Sequence, residues 1–139
     1  MRLDPHVARA RLRDARVARL ATVSGEGEPH LVPVTFALAD GTVFFVVDHK
    51  PKSSTDLRRL RNIQANDRVC VLVDEYSDEW TSLWWVRADG RAQVWSEGGR
   101  RAAAVELLAQ KYQQYRATVP EGPVVAITIE RLTGWSYTG

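Results

Sequence analysis

Apolar residues in this chain come in short runs, many alternating with polar ones, and turn-forming residues punctuate them. Residues 4–14 follow a helical spacing. Asp4 can cap that helix, Pro5 suits its first turn, and Val7, Leu12 and several alanines supply an apolar side. Residues 16–23 read as a strand. Gly25-Glu26-Gly27 then offers turn chemistry, which predicts that residues 30–38 pair back as a hairpin. Asp40-Gly41 is a stronger hairpin signal and leads into residues 42–48, rich in Val and Phe. Three strands joined by tight turns make an antiparallel meander.

A basic helix is predicted next, over residues 53–66. Ser53 or Ser54 can cap it, and Asp56 suits the positive end of its dipole. Leu57, Leu60 and Ile63 form one stripe to bury, with Arg58, Arg59 and Arg61 mostly off it. Residues 69–74, 81–88 and 91–95 read as strands, the last two joined by a turn at Asp89-Gly90. Residues 97–116 predict a longer helix, with Ala103, Leu107, Leu108 and Tyr112 on one face. Gly122-Pro123 breaks the chain, and residues 124–131 alternate as a last strand. The sum is a mainly β fold with flanking helices. About seven short antiparallel strands suit a small barrel, which removes exposed edges.

The 139 residues are enough for one good core, so a single domain over residues 1–139 is expected. No apolar run approaches the roughly 18–20 residues a membrane helix needs. Residues 1–20 are charged and lack the apolar stretch of a secretory signal, so a cytoplasmic location is expected. The net charge of +2 is too small to suggest nucleic acid, but the charge is unevenly placed. Lys50, Lys52, Arg58, Arg59, Arg61 and Arg68 outnumber Asp56 and Asp67 in one stretch, whereas Asp74, Glu75, Asp78 and Glu79 follow with no base among them. Such segregation suits a pocket or a subunit contact, and also a solvated face. Cys70, alone inside VCVLV, can form no intramolecular disulfide and is expected as a buried small side chain.

Candidate chemistry is sparse. His6, His30 and His49 fall in three different elements, and neither an HExxH nor a paired-cysteine spacing occurs, so no metal site is expected. No catalytic triad is evident and no catalytic residue is identified; Tyr76 and Tyr137 are candidate proton donors. The hard part of any reaction would then fall to a bound cofactor. The best constellation is Lys50, Lys52, Ser53 and Ser54, with His49 just before it at a strand end. Lysine charge, serine hydroxyls and the free N–H groups of a starting helix suit an anion such as a phosphate. A solvated basic turn with an ordinary cap has the same composition. No Walker pattern is present.

Two further features stand out. Trp84 and Trp85 are adjacent on a strand and must face opposite sides. The outward one needs cover, from a subunit interface or a planar ligand. Pro33 cannot donate to a sheet ladder, so it marks an edge or a spot where something other than a strand lies against the backbone. Thr35, two residues on, shares its face, and a flat ring could lie along both.

The short helix, the ATVSGEGEPHLVPVTF hairpin, the VFFVVDHKPK strand end, the basic helix and VCVLVDEY together resemble the split β-barrel flavin-binding proteins, including the pyridoxamine-phosphate-oxidase-like enzymes. DHKPKSS, LRRLRNI and VLVDEYSDEWTSLWWVRADGRAQV look closest to the actinobacterial branch that uses the deazaflavin coenzyme F420. The resemblance spans nearly the whole chain and rests on the order of its motifs. It implies an FMN-binding-type split barrel, and a homodimer with cofactor sites between the subunits. It also implies that Lys50, Lys52, Ser53 and Ser54 hold the cofactor phosphate, that Pro33 and Thr35 line its ring, and that Trp84 or Trp85 comes from the partner subunit. Arg58, Arg59 and Arg61 would meet an acidic oligoglutamate tail. The chain lacks the extended C-terminal substrate-binding segment of the oxidases themselves, which counts against pyridoxal phosphate synthesis.

The function so implied is a coenzyme F420-dependent oxidoreductase passing a hydride to a small unsaturated or carbonyl-type substrate. FMN is the alternative cofactor, since both carry phosphate and a tricyclic ring. The rivals are a non-enzymatic cofactor-carrying dimer and an FMN- or haem-handling enzyme on the same fold. No nucleic-acid or membrane partner is expected.

Overall fold

Local chemistry opens the first helix as its residues require. Asp4 accepts a hydrogen bond from the His6 backbone N–H at 2.8 Å, and α1 (Pro5–Asp14) buries Ala8 and Leu12. Val7 is exposed, so the apolar side is narrower than the spacing predicts. The computed structural model describes residues 1–47 and 54–138, with residues 54–57 described by backbone alone. β1 (Ala18–Val23) and β2 (Pro29–Val34) pair antiparallel around a turn in which Ser24 Oγ accepts from Glu26 N–H and Glu28 N–H. β3 (Ala37–Ala39) and β4 (Thr42–Val46) form a second hairpin. Its Asp40 and Gly41 both take positive φ, 52° and 75°, as a tight two-residue hairpin demands.

These hairpins do not make the expected meander. The sheet order is β2-β1-β5-β6-β7-β4-β3, so β2 and β3 lie at opposite edges. The predicted strand over residues 30–38 is broken at Thr35-Phe36, because Phe36 turns into the core and its backbone is held by the side chain of Tyr112, distant in sequence. Only those two residues join the edge strands, a span of roughly 10 Å at most. The sheet must therefore curl until its edges approach, and covalent linkage closes it in place of a ladder. This is a split β-barrel of seven antiparallel strands.

α2 (Ser54–Ala65) follows β4, and β5 (Arg68–Glu75) follows α2. A single 3-10 turn at Trp80–Ser82 leads into β6 (Trp84–Trp95). β6 is one strand where two were expected. Asp89-Gly90 is a bulge in its pairing with β7 (Val124–Ser136), not a turn. Gly90 is needed there for close approach: a Cβ would sit 2.2 Å from the Thr128 carbonyl oxygen. β7 also continues past residue 131, to Ser136. The predicted long helix is split into α3 (Gly99–Lys111) and α4 (Gln113–Ala117) by Tyr112, whose backbone is extended. α3 buries Ala104, Val105 and Leu108, while Ala103 is exposed.

The barrel interior is filled by Leu20, Phe36, Phe45, Val71, Val73, Val86 and Ile127, with Leu12 from α1 and Ile63 from α2 packed in. A second apolar cluster lies on the outer face. There Ala104, Val105, Leu108 and Tyr112 cover Ala37, Phe44, Val46, Val124 and Ala126. Among the described residues, nothing comparable covers the outer face of β2, β1, β5 and the first half of β6. Among them too, no helix is long and apolar enough to cross a membrane.

Candidate functional site

Register decides what the uncovered face presents. Pro33 stands opposite Arg19, Arg19 opposite Leu72, and Leu72 opposite Arg87. The next row runs Leu31, Ala21, Cys70 and Asp89. Asp74 stands opposite Trp85. Side chains two apart on a strand share a face, so all of these look outward. Of these, Arg19, Ala21, Leu31, Cys70, Leu72, Asp74, Trp85 and Arg87 line, together with Tyr76, a groove of about 470 Å³; Pro33 and Asp89 lie outside its lining. Leu31 is 68% exposed and Tyr76 61%, a large apolar outlay for an uncovered surface. Arg87 and Asp89 pair at 3.3 Å.

The two tryptophans alternate as predicted. Trp84 packs against the barrel core, with the Arg11 guanidinium 4.8 Å from its ring centroid. Trp85 is the outward one and lines the groove. Cys70 also lines it, half-buried rather than in the core as expected, because its position in β5 falls on the outer face. Burial, reinforced by Asp89 and opposed by Arg87, raises its thiol pKa, so the protonated form is favoured.

Pro33 is exposed on β2, an edge strand, on the same face as Trp85. Thr35 falls just past the strand. Its hydroxyl lies 2.8 Å from the Tyr115 hydroxyl, and it lines a second groove of about 410 Å³ with Arg16, Val17, Tyr112, Gln114 and Tyr115. Arg19 and Ala21 line the first groove, and Val17, just before β1, lines the second. The Tyr112 hydroxyl accepts from Phe36 N–H at 3.1 Å and lies 2.8 Å from the Arg16 and 3.1 Å from the Phe36 carbonyl oxygens. Lys111 donates to the Arg13 and Ala15 carbonyls, and burial beside Arg16 lowers its pKa to about 8.

His49, Lys50, Lys52 and Ser53 lie outside the described residues. Ser54 is the first residue of α2. Arg58 reaches Glu28 at 4.0 Å, Arg59 lies 5.8 Å from the Phe45 ring centroid, and Arg61 is exposed. Asn62, buried, donates to Thr22 Oγ1 at 3.0 Å and ties α2 to β1. His30, on β2 near Arg58 and Arg59, has a lowered pKa from burial and then from those two charges. Its Nδ1 is buried without a hydrogen-bond partner among the described residues. Sequence reasoning missed Arg19, Leu31, Arg87 and Tyr115. Alternation counted from Trp85 would have reached Arg87; Tyr115 has no local signal, because its partner is distant in sequence.

The comparisons with known proteins agree with this architecture. A reductase of Streptomyces rimosus subsp. rimosus, described as acting on 5a,11a-dehydrotetracycline and 5a,11a-dehydrooxytetracycline, is 38% identical over 94 residues, which are 64% of this chain and 62% of that protein. The chain thus matches less than two thirds of that relative's length. An FAD-binding protein from Mesorhizobium loti superposes with a TM-score of 0.77 at 23% identity, covering 96% of this chain and 95% of the other. The heme storage protein HutZ of Vibrio cholerae superposes with a TM-score of 0.75 at 17% identity over 100% of both chains. At those identities the likeness shows the fold. The family model for pyridoxamine 5'-phosphate oxidase matches residues 5–136, nearly the whole chain, and the protein belongs to that family.

Proposed function

We propose that this protein is an oxidoreductase that binds a tricyclic flavin-type cofactor, the deazaflavin coenzyme F420, and uses it to reduce a small unsaturated substrate. Family membership and the reductase relative support the redox reading. The observation that carries the cofactor site is the bare outer face, where Trp85 lines a largely apolar groove and Pro33 looks outward from the edge strand beside Arg19. A planar ring would satisfy that surface. The basic side chains of α2 suit an anionic group nearby.

In this reading two copies meet across the bare face. Pro33 and Thr35 line the ring, Trp85 closes over it from the partner subunit, and Lys50, Lys52, Ser53 and Ser54 hold the phosphate, with His49 beside them. Arg58, Arg59 and Arg61 face an oligoglutamate tail. The bound cofactor supplies the hydride. The chain's own residues position the ring, exclude water from it and fix the substrate against its open face. FMN would occupy the same cradle, and the fold also hosts heme storage in HutZ. Titrating the purified protein with coenzyme F420, FMN and heme, with sedimentation run in parallel, separates these readings. Binding of neither F420 nor FMN overturns the proposal. Stoichiometric binding without turnover of any electron acceptor would indicate a carrier.

A further inference from the structure

We infer that the groove where the approach to β1 meets the α3–α4 junction is a separate anion site, built for a phosphate group. It goes beyond the proposed function and lies apart from the cofactor phosphate assigned to α2. Asn62 ties α2 to Thr22, near the end of β1, whereas Arg16 precedes the first residue of that strand, Ala18. Roughly 13 Å of strand separates Ala18 from Thr22. The groove holds about 570 Å³ and is lined by Arg16, Lys111, Arg116, Gln113, Gln114 and Ala117. Three cations and two amides thus share one hollow, and no acid is in its lining.

Each cation is held in place by backbone carbonyls. Arg16 Nη2 donates to the Lys111 carbonyl at 2.9 Å, and its guanidinium lies 4.7 Å from the Tyr112 ring centroid. Arg116 Nη1 donates to the Ala109 and Gln110 carbonyls at 2.7 and 3.1 Å. Lys111 Nζ donates to the Arg13 and Ala15 carbonyls and sits 4.0 Å from the Phe36 ring centroid. The arginine donors are not exhausted. A guanidinium carries five N–H groups, and Nε of both Arg16 and Arg116 has no partner among the described residues. Among those residues none of the three cations meets a carboxylate within 4.0 Å. Asp14, the acid whose charge reaches Lys111, is bonded to Arg13 at 3.0 Å and stands outside the lining.

Capping of α3 accounts for only part of this charge. A helix C-terminus carries roughly −0.5 of an elementary charge, so one arginine is enough to neutralise it. Arg16, Lys111 and Arg116 exceed it by about two and a half charges. Gathering them has a cost that Lys111 displays, since burial and then Arg16 lower its pKa. A dianion seated among the three would offset that cost. Phosphate fits better than a lone carboxylate: it brings two charges, and its oxygens can accept from arginines of two different segments at once. The amides of Gln113 and Gln114 add neutral donors.

The test uses cofactor-free protein, so it does not depend on the deazaflavin reading. Inorganic phosphate and glycerol 3-phosphate are titrated at constant ionic strength. The Lys111 Cε carbon-13 and the Arg16 and Arg116 Nε nitrogen-15 resonances are followed, which keeps the readout local to this groove. Both probes give saturable shifts, and bound phosphate raises the Lys111 midpoint by about one pH unit, because a nearby anion favours the charged amine. Tighter binding of the ester identifies a phosphorylated small molecule as the source; equal or weaker binding identifies free phosphate. Arg116→Gln and Gln113→Glu each weaken binding roughly tenfold or more. Gln113 is exposed, so Gln113→Glu reverses the local field without disturbing the core, and thermal unfolding verifies both variants. Shifts that grow linearly with phosphate, that chloride reproduces at the same ionic strength, or that persist unchanged in Gln113→Glu overturn the inference. So does binding of citrate in place of phosphate. Failure to bind deazaflavin overturns the proposed function instead and leaves these shifts as they are.

Discussion

Replacing Tyr112 by Phe removes one oxygen and leaves the ring, so it isolates what the hydroxyl does for barrel closure. The Phe36 N–H loses its acceptor in a fully buried setting, and the Arg16 and Phe36 carbonyls lose a donor. An unsatisfied buried donor costs about 1–3 kcal/mol, and the lost donation to a carbonyl about 1 kcal/mol more. We therefore expect Tyr112→Phe to cost about 2–3 kcal/mol. A chain of this size has an unfolding entropy of about 0.3 kcal/mol/K, so Tm falls by about 7–10 °C. Tyr115→Phe is the control. It removes one half-buried hydroxyl contact, which water can replace at Thr35, and costs under about 1 kcal/mol. Urea and thermal unfolding measure both. A Tyr112→Phe cost below about 0.5 kcal/mol, or equal costs for the two variants, would refute the claim that Tyr112 pins the Thr35-Phe36 crossing.

Gly90→Ala drives a Cβ against the Thr128 carbonyl at 2.2 Å and costs about 3 kcal/mol or more, read from urea unfolding; a neutral result would show that the bulge can move away. The tryptophans separate by role. Trp84→Ala lowers stability by roughly 2–3 kcal/mol through lost core packing, whereas Trp85→Ala lowers deazaflavin affinity at least tenfold by titration. Lys111 titrates near pH 8, below its unfolded value, so the folded state binds fewer protons between that pH and about 10.4. Its contribution to stability is present above the unfolded pKa and is lost as pH falls through the folded one. Carbon-13 NMR of its Cε resonance checks the midpoint, and a value near 10.4 contradicts the burial argument.

Local rules were enough wherever an element is decided by its own residues. Asp4-Pro5 started α1, Asp40-Gly41 took the positive φ values of a tight hairpin, and Trp84 and Trp85 alternated. The same Asp-Gly pair at residues 89 and 90 misled, because there glycine answers a carbonyl on a strand far along the chain. The breaks at Thr35-Phe36 and at Tyr112 have no glycine or proline to announce them. Each is held by the other, through hydrogen bonds between segments far apart in sequence. For the candidate site, Pro33 and Trp85 were legible from strand period and proline chemistry. Their meeting on one face needed the register of β1, β5 and β6, which depends on long-range pairing.

The two prolines of β2 also govern how another molecule can approach. Pro29, Leu31 and Pro33 occupy alternate positions, whose N–H groups would all aim to the same side, and proline is tolerated in a ladder only where that side is the free one. The outward rim of β2 is thus left with the Leu31 N–H as its one donor in that row. At the opposite rim, β3 is only three residues long. Neither border can template an added strand, which guards the sheet against runaway edge-to-edge association. A companion chain is left with the broad side of the sheet, where side chains rather than backbone decide who fits.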